Sequence, residues 1–134
     1  MKTKLIITTF SIGAMLSELI NTMLDARHQF MAIAVVVIFD SVFGIAKAFK
    51  QGNFETKKAL KAVYMLVAFW FLLATTLTIE KGFPFASFLS EAIILPILLF
   101  QMISALKNMQ LLGLVDGKIL NKILSNIDKH KETK

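Results

Sequence analysis

The chain has 134 residues, of which 56% are hydrophobic and 18% are charged, with no cysteine and a net charge of +6. Soluble domains are about 45–50% apolar and about 25% charged, so this composition favours a chain that lies in lipid over an ordinary soluble domain. The lack of cysteine excludes disulfides, thiolate metal sites and cysteine nucleophiles.

The sequence predicts an all-α integral membrane protein with three to four transmembrane helices and a short amphipathic helix near the C-terminus. A spanning helix needs about 20 mostly apolar residues, and its backbone must satisfy its own hydrogen bonds in lipid. The chain is expected to form a single membrane domain over residues 1–134. Its helices are expected at about residues 5–24, 30–50, 57–79, 87–110 and 116–129.

The first apolar run, residues 5–24, has three interpretations: it crosses the membrane, lies in its plane, or is cleaved as a signal peptide. Lys2 and Lys4 followed by an apolar core are typical of a signal peptide. However, Glu18 and Asn21 stand where a small-x-small cleavage site would have to be. The sequence therefore favours a retained membrane segment.

This first helix is expected to carry one polar stripe. At 100° per residue, Thr8, Ser11, Glu18 and Thr22 fall within about 80° of one another. Such a stripe avoids lipid. It is predicted either to face other helices of the same subunit or to line a water-filled opening in an oligomer.

Asp40 lies inside the second apolar run, where an ionisable group indicates a functional site by default. It either is a structural acid that pairs with a lysine, such as Lys47 or one from the next helix, or faces an aqueous lumen or proton path. Gly44 and Ala48, four residues apart, give this helix a smooth face for close packing.

The last predicted span ends in neutral polar residues at helical spacing: Gln101, Ser104 and Asn108. Contacts between helices explain these residues. Asp116 is predicted to cap the amphipathic helix that follows, which would lie on the inner leaflet or pack on a sister subunit.

The lysines predict an orientation. With four crossings, 13 of the 15 Lys and Arg residues fall on one side, and the other two, Arg27 and Lys81, on the opposite side. Because cytoplasmic segments are rich in Lys and Arg, both termini are expected in the cytoplasm. The residues expected to hold this topology and contact lipid headgroups are Lys47, Lys50, Lys57, Lys58 and Lys61. Topology thus explains the basic charge, and nucleic acid is not expected as a partner.

No catalytic or metal site is expected from the sequence, and no cofactor. His28 and His130 fall on opposite sides of the membrane in this topology, so one chain offers no histidine-based metal site. The glycines are scattered singly and form no phosphate-binding loop. The chain is therefore predicted not to be an enzyme.

Two stretches resemble the phage lysis holins of the toxin-secretion/phage-lysis type. The first is DSVFGIAKA at residues 40–48, followed by GN at 52–53 and TKK at 56–58. The second is the Gln-x-x-Ser-x-x-x-Asn pattern of residues 101–108, followed by LG at 112–113. Taken together and in this order, the motifs resemble the family, and the similarity covers residues 30–127. Unlike most of the family, this chain has Gln101 and Lys107 in place of acids.

The resemblance implies a holin-like protein that accumulates in the bacterial inner membrane, forms a homo-oligomer and permeabilises the membrane. It implies the bilayer, further copies of the chain, and an endolysin or toxin as cargo among the partners. Two alternatives remain at this point. One is a small proton-coupled multidrug-type transporter, which Glu18 in the first helix would suit. The other is a regulatory or anchoring membrane subunit of the antiholin kind.

Overall fold

The structure is a computed structural model that describes residues 1–132. These residues form five α-helices and no strand: α1 (Lys2–Asp25), α2 (Arg27–Lys50), α3 (Thr56–Gly82), α4 (Leu89–Leu111) and α5 (Gly117–Glu132). A 3-10 turn, Pro84–Ala86, leads into α4. Four segments are long and apolar enough to cross a membrane: α1, α2, α3 and the segment Pro84–Leu111 that contains α4. The all-α prediction, with four such helices and an additional C-terminal helix, is confirmed.

The helices extend beyond the apolar runs from which they were predicted. Helix α2 begins at Arg27 and is separated from α1 by Ala26 alone. Helix α3 continues through Glu80 and Lys81 to Gly82. Hydropathy marks the part of a helix that suits lipid, whereas charged residues continue the same helix without difficulty. The sequence pattern therefore underestimates helix length at these ends.

Helix α2 lies at the centre, packed against both α3 and α4. The buried core takes residues from all three helices: Phe30, Ile33 and Val37 from α2, Leu73 and Ala74 from α3, and Ile94 from α4. The indole Nε1 of Trp70 donates a hydrogen bond of 3.1 Å to the backbone carbonyl of Phe30, and the two rings meet edge to face. The core thus holds α2, α3 and α4 together as a three-helix unit.

Helices α2 and α4 run parallel. Gln29 and Ser90, near their N-terminal ends, line one cavity, and Gly44 and Asn108, nearer their C-terminal ends, line another. The bundle therefore has two ends. We call them the Asp25 end, where α1 and α3 finish, and the Lys50 end, where α2 and α4 finish.

Gly113 reverses the chain between α4 and α5. Its φ is +80°, and two hydrogen bonds close the turn: Gly113 N–H to the carbonyl of Gln110 and Leu114 N–H to that of Met109. This pattern is the Schellman motif, which places a left-handed residue just after a helix. The reversal brings α5 against α4 of the same chain, a position that the sequence did not predict.

Gly113→Ala is expected to destabilise the fold by about 1–2 kcal/mol, because an L side chain in the left-handed region is strained. Space is not the cause, since nothing lies within 4 Å of a Cβ at this position. Gly82→Ala is the matched control, as Gly82 has the same open surroundings without a positive φ. Thermal unfolding in detergent measures both variants, and equal losses of stability would contradict this account.

Candidate functional site

Three of the predicted site residues meet between α2 and α4. The side-chain amide Nδ2 of Asn108 donates a hydrogen bond of 3.3 Å to Oδ1 of Asp40. A Cβ at Gly44 would stand 3.6 Å from that same Nδ2 atom. Asn108 therefore packs against α2 at Gly44, within ordinary van der Waals distance of a Cβ at that position, and small residues favour close helix approach of this kind in membranes. We call Asp40, Gly44 and Asn108 the polar seam.

The lysine expected to pair with Asp40 does not do so within the described part of the chain, where its carboxylate accepts from Asn108 instead. Lys47 is two turns further along α2, about 10 Å by helical rise. Its side chain lines the cavity at the Lys50 end, together with Lys58. A neutral amide is therefore the partner of the intramembrane acid.

The polar seam continues along α4 through Ser104 and Gln101, which lie on the same side of the helix as Asn108. Both side chains are half-buried. The amide oxygen Oε1 of Gln101 is buried and has no hydrogen-bond partner among residues 1–132. Buried polar atoms are costly unless they are paired. A single chain thus leaves an acceptor unsatisfied at this face of α4.

The predicted polar stripe of α1 is divided in two by the structure. Its Asp25-end half contacts α3, where Lys81 Nζ lies 2.9 Å from Thr22 Oγ1 and 3.3 Å from Glu18 Oε1. Thr22 is buried there. Thr8 and Ser11 are exposed, and the Thr8 hydroxyl only donates to the carbonyl of Lys4 in its own helix. Contacts within the subunit therefore account for half of the stripe.

The first seventeen residues of α1, from Lys2 to Glu18, are exposed on every side. Large apolar side chains make up most of this surface: Leu5, Ile6, Ile7, Phe10, Ile12, Met15 and Leu16. Helix α1 thus contacts the bundle only near its Asp25 end, and the rest of it needs lipid or another chain as a neighbour.

The five lysines expected to set topology lie together at the Lys50 end. Lys47 and Lys50 belong to the last turns of α2. The other three, Lys57, Lys58 and Lys61, open α3 and are exposed. Lys58 Nζ donates to the carbonyl of Asn53 and so steadies the α2–α3 connection. This grouping places these five lysines at one end of the bundle.

Lys81 was missed as a site residue. The sequence marked it only as one of two cations on the sparsely charged side. In the structure it also contacts Asp25, at 3.8 Å, and so joins α1 to α3 through three side chains. The sequence did contain a signal for this contact. Glu18 and Asp25 lie on one face of α1, near its C-terminal end, and Lys81 is the lysine in the last turn of α3.

Lys81→Met is expected to loosen α1 from α3. Lys81 and the two acids are largely exposed, so the loss of the ion pairs should change the stability by less than about 1 kcal/mol. The change in position is the better readout: spin labels at Leu16→Cys and Thr75→Cys should show a broader distance distribution. Lys61→Met, at the other end of α3, serves as control. The idea fails if both variants keep the distribution of the unsubstituted chain.

Within residues 1–132, no group of three or more His, Asp or Glu side chains is arranged to hold a metal ion. The structure instead contains polar side-chain contacts between apolar helices, such as Asn108 with Asp40 and Lys81 with Glu18. Hydrogen bonds and ion pairs of this kind position helices relative to one another.

Comparison with known families gives a match over most of the chain. The model of the bacteriophage holin family matches residues 18–129, a range that includes the polar seam, Lys81 and most of α5 but leaves out Thr8 and Ser11. No curated protein and no solved structure matched the chain. Holins are not an enzyme family. The match covers most of the sequence and agrees with four helices that suit a bilayer, so the chain belongs to the bacteriophage holin family and is a multi-pass membrane protein.

Proposed function

We propose that the protein assembles in the bacterial inner membrane into a lesion that permeabilises it and lets an endolysin or a toxin escape. The observation that carries this proposal is the holin-family match over residues 18–129. The four apolar helices support it, because they suit insertion into a bilayer. Neither catalysis nor a cofactor is needed for such a role.

Features of the single chain support assembly into an oligomer. Thr8 and Ser11 lie on an exposed helix surface with no neighbour from the bundle, next to large apolar side chains of the same helix. Polar groups at membrane depth need water or another polar group. The residues proposed to border the lumen or the subunit interface are Thr8, Ser11, Glu18, Thr22, Asp40, Gly44, Gln101, Ser104 and Asn108.

We propose further that all four helices cross the membrane, with the Lys50 end of the bundle in the cytoplasm. The grouped lysines at that end support this orientation by the positive-inside rule. Reporter fusions test this orientation. A phosphatase that is active only in the periplasm should be active when fused after Arg27 or Gly82 and inactive when fused after Gly52. The opposite pattern would exclude the orientation.

Release of entrapped dyes from lipid vesicles tests permeabilisation. The purified full chain should release dyes of several sizes without a proton gradient. A small multidrug-type transporter would instead move selected solutes only when a gradient drives them. An antiholin-like subunit would release nothing alone and would suppress release by another holin. Either of these two results would contradict the proposal.

A further inference from the structure

A polar cavity lies at the Lys50 end of the bundle, between the last turns of α2 and α4 and the start of α3. Its volume is about 250 Å³. A cavity needs about 10–15 Å³ to hold one water, so this one has room for a small polar group and its hydrating waters. In the described chain its polar wall has two cations, three amides and no acid: Lys47, Lys58, Gln51, Asn53 and Asn108. We call it the Lys47 cavity.

Several N–H groups of the Lys47 cavity have no acceptor within residues 1–132. The ammonium of Lys47 is half-buried and has neither a hydrogen bond nor an ion pair there. The amide nitrogen of Asn108 carries two hydrogens, and its bond to Asp40 uses one of them. Lys58 gives one of its three hydrogens to the carbonyl of Asn53. The cavity therefore presents donors from α2, α3 and α4 to whatever occupies it.

The C-terminal end of α2 does not cancel this positive charge. A helix end carries about half a negative charge, against two lysine charges in the cavity wall. The terminal carbonyls of Ala48 and Phe49 also accept hydrogen bonds locally, from the N–H groups of Asn53 and Gly52. This Schellman turn depends on the positive φ of Gly52. The cavity is therefore an environment that favours an anion.

The Lys47 cavity spans the level at which the apolar part of α2 gives way to charge. The apolar run ends at Ala46, and Lys47 follows it directly. Along α2 the wall extends from Gly44 to Gln51, about 10 Å of helical rise. The polar layer of each leaflet is about 5–8 Å thick, and it contains the lipid phosphates. Basic pockets between helices at the cytoplasmic side are typical sites for such headgroups.

We propose that the Lys47 cavity binds one phosphate group, carried by an anionic lipid headgroup or by free phosphate. Lys47 and Lys58 neutralise the phosphate, and the second N–H of Asn108 donates to one of its oxygens. Binding joins α2, α3 and α4 at the Lys50 end and connects the site to the polar seam. The inference goes beyond the proposed function, because binding requires no lesion. It also separates two of the five topology lysines from Lys57 and Lys61, which lie outside the cavity.

Thermal unfolding of the full chain in a non-ionic detergent tests the site, with the fluorescence of the single Trp70 as readout. A ligand that binds only the folded chain raises the unfolding midpoint. Dihexanoyl phosphatidylglycerol should raise it, whereas dihexanoylglycerol, which has the same chains and no phosphate, should not. Sodium phosphate is compared with sodium chloride at equal ionic strength.

These two arms distinguish the sources of the phosphate group. A rise with phosphatidylglycerol only identifies the lipid headgroup as the ligand, and a rise with inorganic phosphate shows that free phosphate is sufficient. No rise with either phosphate compound would overturn the inference.

Two double variants with the same net charge locate the site. Lys47→Gln with Lys58→Gln should weaken the apparent affinity roughly tenfold or more, because hydrogen bonds to a charged group are lost. Lys57→Gln with Lys61→Gln removes the same charge from exposed positions outside the cavity, and its affinity should stay within about twofold. Equal losses in both variants would mean a diffuse attraction by lysines and would refute a defined site.

Lys47→Gln alone covers the case in which the double variant does not fold. This variant keeps the contact of Lys58 with the Asn53 carbonyl, so its midpoint without ligand should be close to that of the unsubstituted chain. Its affinity for the phosphate ligand should still fall, and an undiminished affinity would contradict the role of Lys47. Dye release is not measured in these assays, so their failure would leave the proposed function standing.

Discussion

Asp40→Leu should lower the rate of dye release from vesicles roughly three- to eighteenfold, since hydrogen bonds between membrane helices contribute about 0.6–1.7 kcal/mol each. The change removes the acceptor of the Asn108 amide in the polar seam. It should not reduce the amount of protein in the membrane. A carboxylate in mid-span costs about 2.5–3.5 kcal/mol on insertion scales and leucine costs nothing, so insertion should improve while function declines.

Asp40→Asn separates the two interpretations of this acid. An amide at position 40 still accepts a hydrogen bond from Asn108 but carries no charge. If Asp40 acts by holding α2 to α4, this variant should release dye at a rate near that of the unsubstituted chain. If its charge faces a lumen or a proton path, Asp40→Asn should be as defective as Asp40→Leu. Release unaltered in both variants would remove Asp40 from the mechanism.

Leu73→Ala should destabilise the three-helix unit by about 2 kcal/mol. Leu73 of α3 is completely buried. In lipid the transfer contribution largely disappears, because the unpacked side chain is still in an apolar medium. The cavity contribution remains, at about 24 cal/mol per Å³ of residual cavity volume. Unfolding in detergent, monitored by the fluorescence of the single Trp70, measures the loss.

Phe71→Ala is the control for this substitution. Phe71 lies two residues away on the same helix but is 66% exposed, so it is expected to face lipid. Truncating it removes a larger side chain without opening a cavity in the core, and the expected change is within about 0.5 kcal/mol. If Phe71→Ala costs as much as Leu73→Ala, the packing of α3 described above is wrong.

The helices could be predicted because the bilayer leaves an apolar chain few alternatives. A run such as residues 62–79 has no charge and must satisfy its backbone hydrogen bonds internally, so a helix follows directly. The side-by-side arrangement could not be predicted. Leu73 and Phe71 are both apolar, yet one faces the core and the other does not. Hydropathy cannot separate the two faces when lipid is as apolar as the core.

The candidate site was likewise predictable only in part. Asp40 stands out in the sequence because a charge is unusual in an apolar run, and Gly44 is marked by its spacing of four residues from Ala48. Their partner Asn108 is 68 residues from Asp40, and only the packing of α2 on α4 brings it near. The amphipathic pattern of α5 likewise predicts an apolar contact without naming its partner. The structure supplies that partner, α4, through the reversal at Gly113.

Lysis of living cells tests the central claim most directly. The full chain is expressed in bacteria together with a peptidoglycan hydrolase that lacks any export signal and stays in the cytoplasm. The culture should clear only when both proteins are made, with the hydrolase reaching the cell wall. A culture that remains turbid while the chain is abundant in the inner membrane and the hydrolase is active would contradict release through a lesion.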